Sequence, residues 1–203
     1  YSAMNPRGWF SHFVTIFSLF GYATPVFWLG MIILLVFALH IPIFPAFGIR
    51  TIPEPDGDFA KFVDIANHLV LPVFTLAVLY LANYSRISRA SMLDVLGADY
   101  IRTARTKGLS EFVVIFKHAL KNAALPVVTL AGLQLGQIFS GAVLVETVFS
   151  LPGVGPLLYE SIVRRDYPVI LGVLFGAAAT TIVANIITDL LYKKMDPRIQ
   201  SIT

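Results

Sequence analysis

The sequence predicts an all-α membrane protein with four transmembrane helices. Of its 203 residues, 57% are hydrophobic and only 13% are charged, and the mean hydropathy is +0.77. Soluble domains carry about 25% charged residues and need that charge on the large surface that a chain of this length still exposes. The composition therefore excludes a soluble globular domain, and it also excludes disorder. Because cysteine is absent, there is no disulfide, thiol nucleophile or cysteine metal site.

Four uncharged stretches supply the predicted spans, at residues 13–39, 65–85, 122–145 and 167–188. Each has about 21 to 27 residues, and about 20 helical residues cross a hydrocarbon core of about 30 Å. None alternates in the manner of a membrane strand. The whole chain, residues 1–203, is thus predicted to form one transmembrane domain. Residues 40–64 and 146–166 form the loops on one side, and residues 93–121 form the main loop on the other.

The positions of lysine and arginine predict the orientation. Four of the 15 basic residues fall on the side of the two smaller loops, which leaves eleven on the side of residues 93–121 and the chain ends; the four are Arg50, Lys61, Arg164 and Arg165. The positive-inside rule places the richer side, with both ends of the chain, in the cytoplasm. The net charge of +3 reflects this asymmetry, and no nucleic-acid partner is expected.

Proline, glycine and amide residues inside the spans predict bent and closely packed helices. Pro25, Pro72 and Pro126 each remove a backbone hydrogen bond, so each bends or starts a helix. Glycines at four-residue spacing allow close helix packing; they are Gly132, Gly136, Gly172 and Gly176. Three amides are expected to face protein or a water-filled path, with hydrogen bonding between helices as the equal alternative to pore lining; they are Gln134, Gln137 and Asn185.

The cytoplasmic loop, residues 93–121, is patterned as two short amphipathic helices joined at Gly108. After Gly108, apolar residues recur at spacings of three and four and form one face; they are Leu109, Phe112, Val113, Phe116 and Leu120. Ser110 occupies the N-cap position of that second helix. Two interpretations stand: an interfacial helix pair on anionic headgroups, or a docking element gripped by a soluble partner, in which Gly108 permits close backbone approach.

The run from Gly97 to Ser110, followed by the run from His118 to Pro126, closely resembles the cytoplasmic EAA motif of ABC importer permeases. In that family this loop is the coupling helix, received by a groove on the ATPase subunit. The glutamate of the general pattern is replaced by Arg102, and the gap to Pro126 is longer. Both departures are similar to those of the first permease subunit in the dipeptide, oligopeptide and nickel branch. The resemblance implies an ATPase-coupling set of Tyr100, Arg102, Thr103, Ala104, Lys107, Gly108, Leu109 and Ser110.

The resemblance extends from about residue 21 to residue 198, and it implies that two helices of a six-helix permease precede this chain. The segment from Glu146 to Gly155 resembles the outer loop of the same branch. The family interpretation is a segment that dips toward the translocation path as a gate, and the alternative is an interfacial loop with a solvated Glu146. The gate residues would be Glu146, Phe149, Pro152, Gly153 and Gly155.

The resemblance implies a non-catalytic membrane subunit of a bacterial or archaeal ATP-driven importer in the cytoplasmic membrane. Its partners would be a second homologous permease subunit, two cytoplasmic ATPase subunits that bind ATP and Mg²⁺, an extracytoplasmic binding protein and membrane lipid. The chain has no phosphate-binding G-x-x-x-x-G-K-[ST] motif, so it holds no cofactor itself. Its four histidines lack ligand spacing, so no metal site is expected. Peptide is the leading substrate; the alternatives are nickel, another small solute, or an ATP-independent carrier or channel.

Overall fold

The computed structural model describes residues 8–137 and 142–195, and that part of the chain contains helices and turns without a strand. Ten helices lie within it. They are α1 (Trp9–Ala23), α2 (Val26–Leu34, continued by a π-helical segment Leu35–His40), α3 (Asp58–Leu96), α4 (Asp99–Thr106), α5 (Glu111–Val113, continued by a π-helical segment Val114–Ala119), α6 (Leu120–Ala123), α7 (Leu125–Gln137), α8 (Val143–Val148), α9 (Val154–Arg164) and α10 (Tyr167–Met195).

Two of these helices are long and apolar enough to cross a membrane by themselves: α3, and residues Tyr167–Leu190 of α10. They contain the predicted spans 65–85 and 167–188. Backbone groups in a bilayer must be hydrogen-bonded within the segment, and a long helix achieves this. The all-α membrane fold is confirmed.

The other two predicted spans are not straight helices. The stretch 13–39 is divided at Pro25 into α1 and α2, which are bent by 104°, and the helix pair Glu111–Ala123 and Leu125–Gln134 is bent by 40°. Proline can start a helix because the first N–H groups have no partner within it, and Pro25 stands at the N-cap of α2. Within residues 8–137 and 142–195 the number of candidate spans is therefore two, or up to four if each bent pair crosses as one. Residues 138–141 of the predicted third span lie outside the described residues.

Helix α3 is much longer than a bilayer crossing requires. Its 39 residues extend for about 58 Å at 1.5 Å per residue, against a hydrocarbon core of about 30 Å. Pro72 lies in its interior without ending it. If residues 65–85 cross the membrane as predicted, the last eleven residues continue about 16 Å beyond it. The loop that follows is thus carried on a rigid helical support.

The chain divides into two compact units, each assembled from separate segments. The first unit comprises Tyr1–Phe20, Leu81–Gly136 and Thr181–Thr203, and the second comprises Gly21–Tyr80 and Gln137–Thr180. The core of the first unit lies within the loop region and contains Ile101, Ala104, Val114 and Ala119. The core of the second unit joins α2, α3 and α8 through Ile33, Leu34, Leu71, Val145 and Phe149.

Candidate functional site

Helix α4, in the first unit, forms the centre of the predicted coupling loop. Its two apolar side chains, Ile101 and Ala104, are buried against the helix that follows. The remaining positions face outward, among them Arg102 and Thr103. The outer face of α4 is consequently polar and charged. Ala104, which the resemblance includes among the coupling residues, lies in the core and helps to position the helix.

The turn after α4 has a fixed shape that depends on Gly108. This residue has φ of +78°, a left-handed conformation that glycine adopts without steric cost. Across the turn, the Arg105 guanidinium donates two hydrogen bonds to the Glu111 carboxylate, at 2.6 and 3.2 Å. The hydrogen bond from Arg105 lowers the pKa of Glu111 from its usual range. The sequence analysis missed this pair, although opposite charges on either side of a glycine turn are a signal that could have indicated it.

Other loop residues connect α4 to the helices that follow. The amide of Asn122 in α6 donates a hydrogen bond to the Tyr100 hydroxyl at 3.0 Å. Ser110 is the N-cap of α5 as predicted, but its hydroxyl makes no capping hydrogen bond. Lys107 and Leu109 lie on the exposed surface of the turn. Of the predicted coupling residues, Tyr100 is therefore the one tied by its side chain to the helix leading into α7.

The second loop helix buries a face that the sequence analysis did not identify, and it exposes the predicted apolar face. Val114 and Ala119 are fully buried, whereas Phe112 is 69% and Phe116 is 55% exposed. The two rings contact each other, with centroids 4.5 Å apart. Since Val114–Ala119 is π-helical, the angular spacing of its side chains departs from the 3.6-residue period on which the prediction rested. The helix therefore has two apolar faces, one buried and one exposed.

The predicted outer loop, in the second unit, folds as a turn between two short helices, α8 and α9. The Glu146 carboxylate accepts hydrogen bonds from the backbone N–H of Ala142 at 3.1 Å and of Gly155 at 2.9 Å. These N–H groups lie at the starts of α8 and α9, where the helix leaves donors unpaired. A side chain at Gly153 would place its Cβ 2.7 Å from Oε1 of Glu146. Glu146 is thus partly buried, and two backbone N–H groups hold its carboxylate in place.

Phe149 anchors this turn to the rest of the second unit. Its ring is 2% exposed and lies in the core with Ile33 and Leu71. Its carbonyl oxygen accepts a hydrogen bond from the backbone N–H of Gly48 at 2.9 Å. Pro152, at the tip of the turn, is exposed. A cavity of about 640 Å³ opens beside the turn and is lined by residues that include Glu146, Pro152, Gly155, Tyr159 and Glu160.

The residues predicted to pack helices or line a path lie in different surroundings. In the first unit, a Cβ at Gly132 would lie 2.7 Å from Cβ of Thr188 in α10. Gln134 accepts a hydrogen bond from the Tyr84 hydroxyl of α3 at 2.5 Å. By contrast, Gly172 has no atom within 4 Å of such a position. The remaining residues of this set have simple positions. Gly136 and Gln137 lie in the last turn of α7, Gly176 lies within α10, and Asn185 is exposed. In the described residues, no three His, Asp or Glu side chains form a metal-binding group.

The fold combines long apolar helices with two bent helix pairs, and a loop with the polar helix α4 follows the long helix α3. These features define a multi-pass membrane protein of the permease type. Residues 1–201 match the family described as binding-protein-dependent transport system inner membrane component, and the chain belongs to that family. This confirms the importer-permease resemblance.

Several curated relatives carry names that specify peptide transport. The chain is 43% identical over 199 residues to the oligopeptide transport system permease protein AppB of Bacillus subtilis, covering 98% of this chain and 62% of that protein. It is 40% identical over 213 residues to the di/tripeptide permease DppB of Pseudomonas aeruginosa, covering 98% and 63%. The dipeptide permease DppB of Escherichia coli strain K12 is 41% identical over 208 residues, covering 94% and 61%. The chain thus spans less than two thirds of the length of these relatives.

Proposed function

We propose that this chain is part of the membrane domain of a permease subunit in a binding-protein-dependent importer of peptides. The family description and the names of the relatives support this proposal. In it, a second homologous permease subunit completes the path, and two cytoplasmic ATPase subunits drive it. A binding protein delivers the peptide from outside. The permease itself catalyses no reaction.

The polar outer face of α4 is the observation that carries the coupling part of this proposal. A helix that merely rests on lipid would turn apolar side chains outward, as the following helix does with Phe112 and Phe116, because burying them in the bilayer interface is what holds it there. In α4, the apolar Ile101 and Ala104 are buried, and Arg102 and Thr103 face outward. A charged and hydrogen-bonding helix suits a groove on a soluble protein. The ATPase subunit is therefore the proposed partner of α4, and the proposal has this loop in the cytoplasm.

The α8–α9 turn is the proposed gate on the opposite side of the membrane. Glu146 holds the starts of both helices, and Phe149 anchors the turn in the core of the second unit. A segment fixed in this way can close a path without collapsing. The adjoining cavity, lined in part by Glu146, Tyr159 and Glu160, offers polar groups to a passing peptide.

Energy transfer requires that the ATPase contact α4 differently in its two states. A ligand shifts a conformational equilibrium only by its difference in affinity for the two forms. ATP binding in the partner would move α4, and the bent helices would exchange inward- and outward-open arrangements. Reciprocally, peptide delivery from outside would alter ATP hydrolysis.

A transport assay in a strain without its own peptide or nickel importers tests this function. The whole permease is expressed with its second permease, ATPase subunits and binding protein, and uptake of a set of labelled di- to pentapeptides is compared with uptake of nickel. We expect peptide uptake that disappears when an ATPase subunit carries an inactivating substitution in its nucleotide site. Nickel uptake without peptide uptake would contradict the proposed substrate.

Docking is tested separately by co-purification in mild detergent. The double variant Arg102→Ala/Thr103→Ala is expected to lose the ATPase subunit, while the outer-side variant Arg164→Ala retains it. Uptake that persists without any ATPase subunit would favour an ATP-independent carrier. Unchanged co-purification of the double variant would remove α4 as the docking element.

A further inference from the structure

The first unit contains a polar cluster between α1 and α3 that the proposed transport function does not use. On α1, Ser11 and Ser18 are buried, at 1% and 3% exposure, whereas Phe13 and Ile16 point outward. Thr15 lies on the same side as the two serines at helical spacing. A surface helix of a soluble protein turns its polar side chains outward and its apolar ones inward, and α1 has the opposite arrangement. The hydroxyl groups therefore face α3, and the apolar groups face the surroundings.

Arg89 of α3 is the residue that these hydroxyls meet. Its terminal nitrogens donate hydrogen bonds to Oγ1 of Thr15 and, at 2.8 Å, to Oγ of Ser11. Its Nε and the Oγ of Ser18 are both buried and have no hydrogen-bond partner within the described residues. A buried donor without an acceptor is unfavourable, and buried polar groups in proteins are seldom left so.

Both residues line one cavity of about 200 Å³. Its other walls include Val14, Leu19 and Leu93, and Arg86 stands beside Arg89; the lining residues contain no carboxylate. The cavity thus combines two guanidinium groups and a hydroxyl with aliphatic walls. An oxyanion attached to a hydrocarbon chain matches that combination, because the guanidinium fork binds phosphate oxygens and the aliphatic walls accept the chain.

The position along the chain indicates the source of such an anion. Arg86 and Arg89 directly follow the predicted crossing 65–85, where a helix leaves the hydrocarbon and enters the headgroup layer. Basic pockets between helices at that depth bind anionic lipid headgroups. We propose that the cavity between α1 and α3 binds an anionic phospholipid, whose phosphate accepts hydrogen bonds from Arg89 and Ser18 and whose acyl chain lies along Val14 and Leu19. This proposal depends on membrane insertion, not on peptide transport or on ATPase docking.

Lipid retention measured by native mass spectrometry tests the proposal. The whole permease is purified in mild detergent and exposed to equal amounts of phosphatidylglycerol and phosphatidylcholine. We expect selective retention of phosphatidylglycerol, reduced about tenfold in Arg89→Gln, because a hydrogen bond to a charged group is lost. Ser18→Ala should reduce it by about threefold, as expected for one neutral donor. The matched control Arg164→Gln removes an exposed arginine elsewhere and should leave retention unchanged.

Three results would overturn the proposal. Wild-type retention in Arg89→Gln would remove Arg89 from the site, and equal retention of phosphatidylcholine would remove the preference for an anion. Complete displacement of phosphatidylglycerol by millimolar inorganic phosphate would assign the site to a free anion. Should Arg89→Gln fail to fold, Arg89→Lys keeps the charge but not the fork; reduced retention in that variant supports the site, and wild-type retention in both Arg89→Lys and Ser18→Ala contradicts it.

Discussion

Replacement of Gly108 by valine tests whether the turn between α4 and α5 must keep its shape for transport. Gly108 has φ of +78° and no atom within 4 Å of a Cβ position. A side chain there has room, so the cost lies in the backbone: a left-handed residue other than glycine costs about 1 to 2 kcal/mol, and more for a β-branched one. A cost of that size lowers the equilibrium ratio of the native turn to alternative conformations by a factor of about 5 to 30.

Two matched variants separate backbone shape from the volume of the side chain. Asparagine tolerates the left-handed region better than valine does, so Gly108→Asn adds a side chain but retains the turn. Gly57, in the opposite loop, has φ of +91° and is equally free of neighbours. Gly57→Val therefore imposes similar strain away from the proposed ATPase contact.

The assay is peptide uptake per ATP hydrolysed, in proteoliposomes that contain the complete transporter and its binding protein. We expect Gly108→Val to lower this ratio by up to about 5- to 30-fold, the factor by which the turn equilibrium shifts. Gly108→Asn should retain most of the coupling, and Gly57→Val should retain all of it. The amount of permease in the membrane is measured for each variant, so that loss of protein is not read as loss of coupling.

Three outcomes would refute this reasoning. Equal loss of coupling in Gly108→Val and Gly108→Asn would mean that the partner needs empty space at the turn, as close backbone approach requires, and not a particular turn shape. Normal coupling in both variants would show that this turn does not couple transport to ATP hydrolysis. Loss in Gly57→Val equal to that in Gly108→Val would attribute the effect to general backbone strain.

Three further predictions concern particular contacts. The pKa of Glu111 is lowered by its hydrogen bond to Arg105, so this pair stabilises the loop above the ordinary glutamate pKa, and the stabilisation is lost as pH falls through the lowered value. Amide hydrogen exchange of α4 should therefore rise at that acid pH relative to Glu111→Gln, in which the pair is absent at every pH. Parallel pH profiles of the two proteins would contradict this prediction. Glu146→Ala should destabilise the second unit by about 1 to 2 kcal/mol, because backbone donors at the starts of two helices lose their acceptor. Proteolysis at the α8–α9 turn should therefore increase, and unchanged cleavage would show that Glu146 does not stabilise this turn. Gly132→Ala should destabilise the protein in detergent by about 1 to 3 kcal/mol through overpacking, whereas Gly172→Ala should not, because the space at Gly172 is open. Equal melting temperatures of the two variants would contradict the close approach of Gly132 to α10.

Features that depend on local sequence were predictable. The uncharged stretches 65–85 and 167–188 lie within single long helices because their apolar length alone satisfies the bilayer. The prediction that proline bends or starts a helix is confirmed at Pro25 and Pro126, which stand at the starts of α2 and α7. The turn at Gly108 and the N-cap position of Ser110 follow from the same kind of local signal.

Features that depend on residues brought together by folding could not be read from spacing. Glu146 was predicted at the outer loop, but its bond to the backbone of Gly155 requires α8 and α9 to fold back on each other. Arg89 meets Ser11 across 78 positions of sequence, and neither residue belongs to a recognisable pattern. The buried face with Val114 and Ala119 was not predicted for a different reason, because this segment is π-helical and its angular spacing departs from the period that the prediction assumed.

The loop is connected internally in a way that constrains how a force on α4 could travel. Ile101 and Val114 are fully buried in one cluster, the Tyr100 hydroxyl is bonded to Asn122, and a bidentate ion pair closes the turn at Gly108. Three contacts of different kinds thus join α4 to α5 and α6, and close-packed interiors transmit displacement because they compress little. The loop should therefore move as one body together with the end of α3, whose Val95 and Leu96 pack on the same cluster, and its hinge should lie at the 40° bend before α7. On this reasoning Gly108 acts as a fixed corner and not as a flexible joint, and displacement of α4 reaches the start of a membrane helix directly.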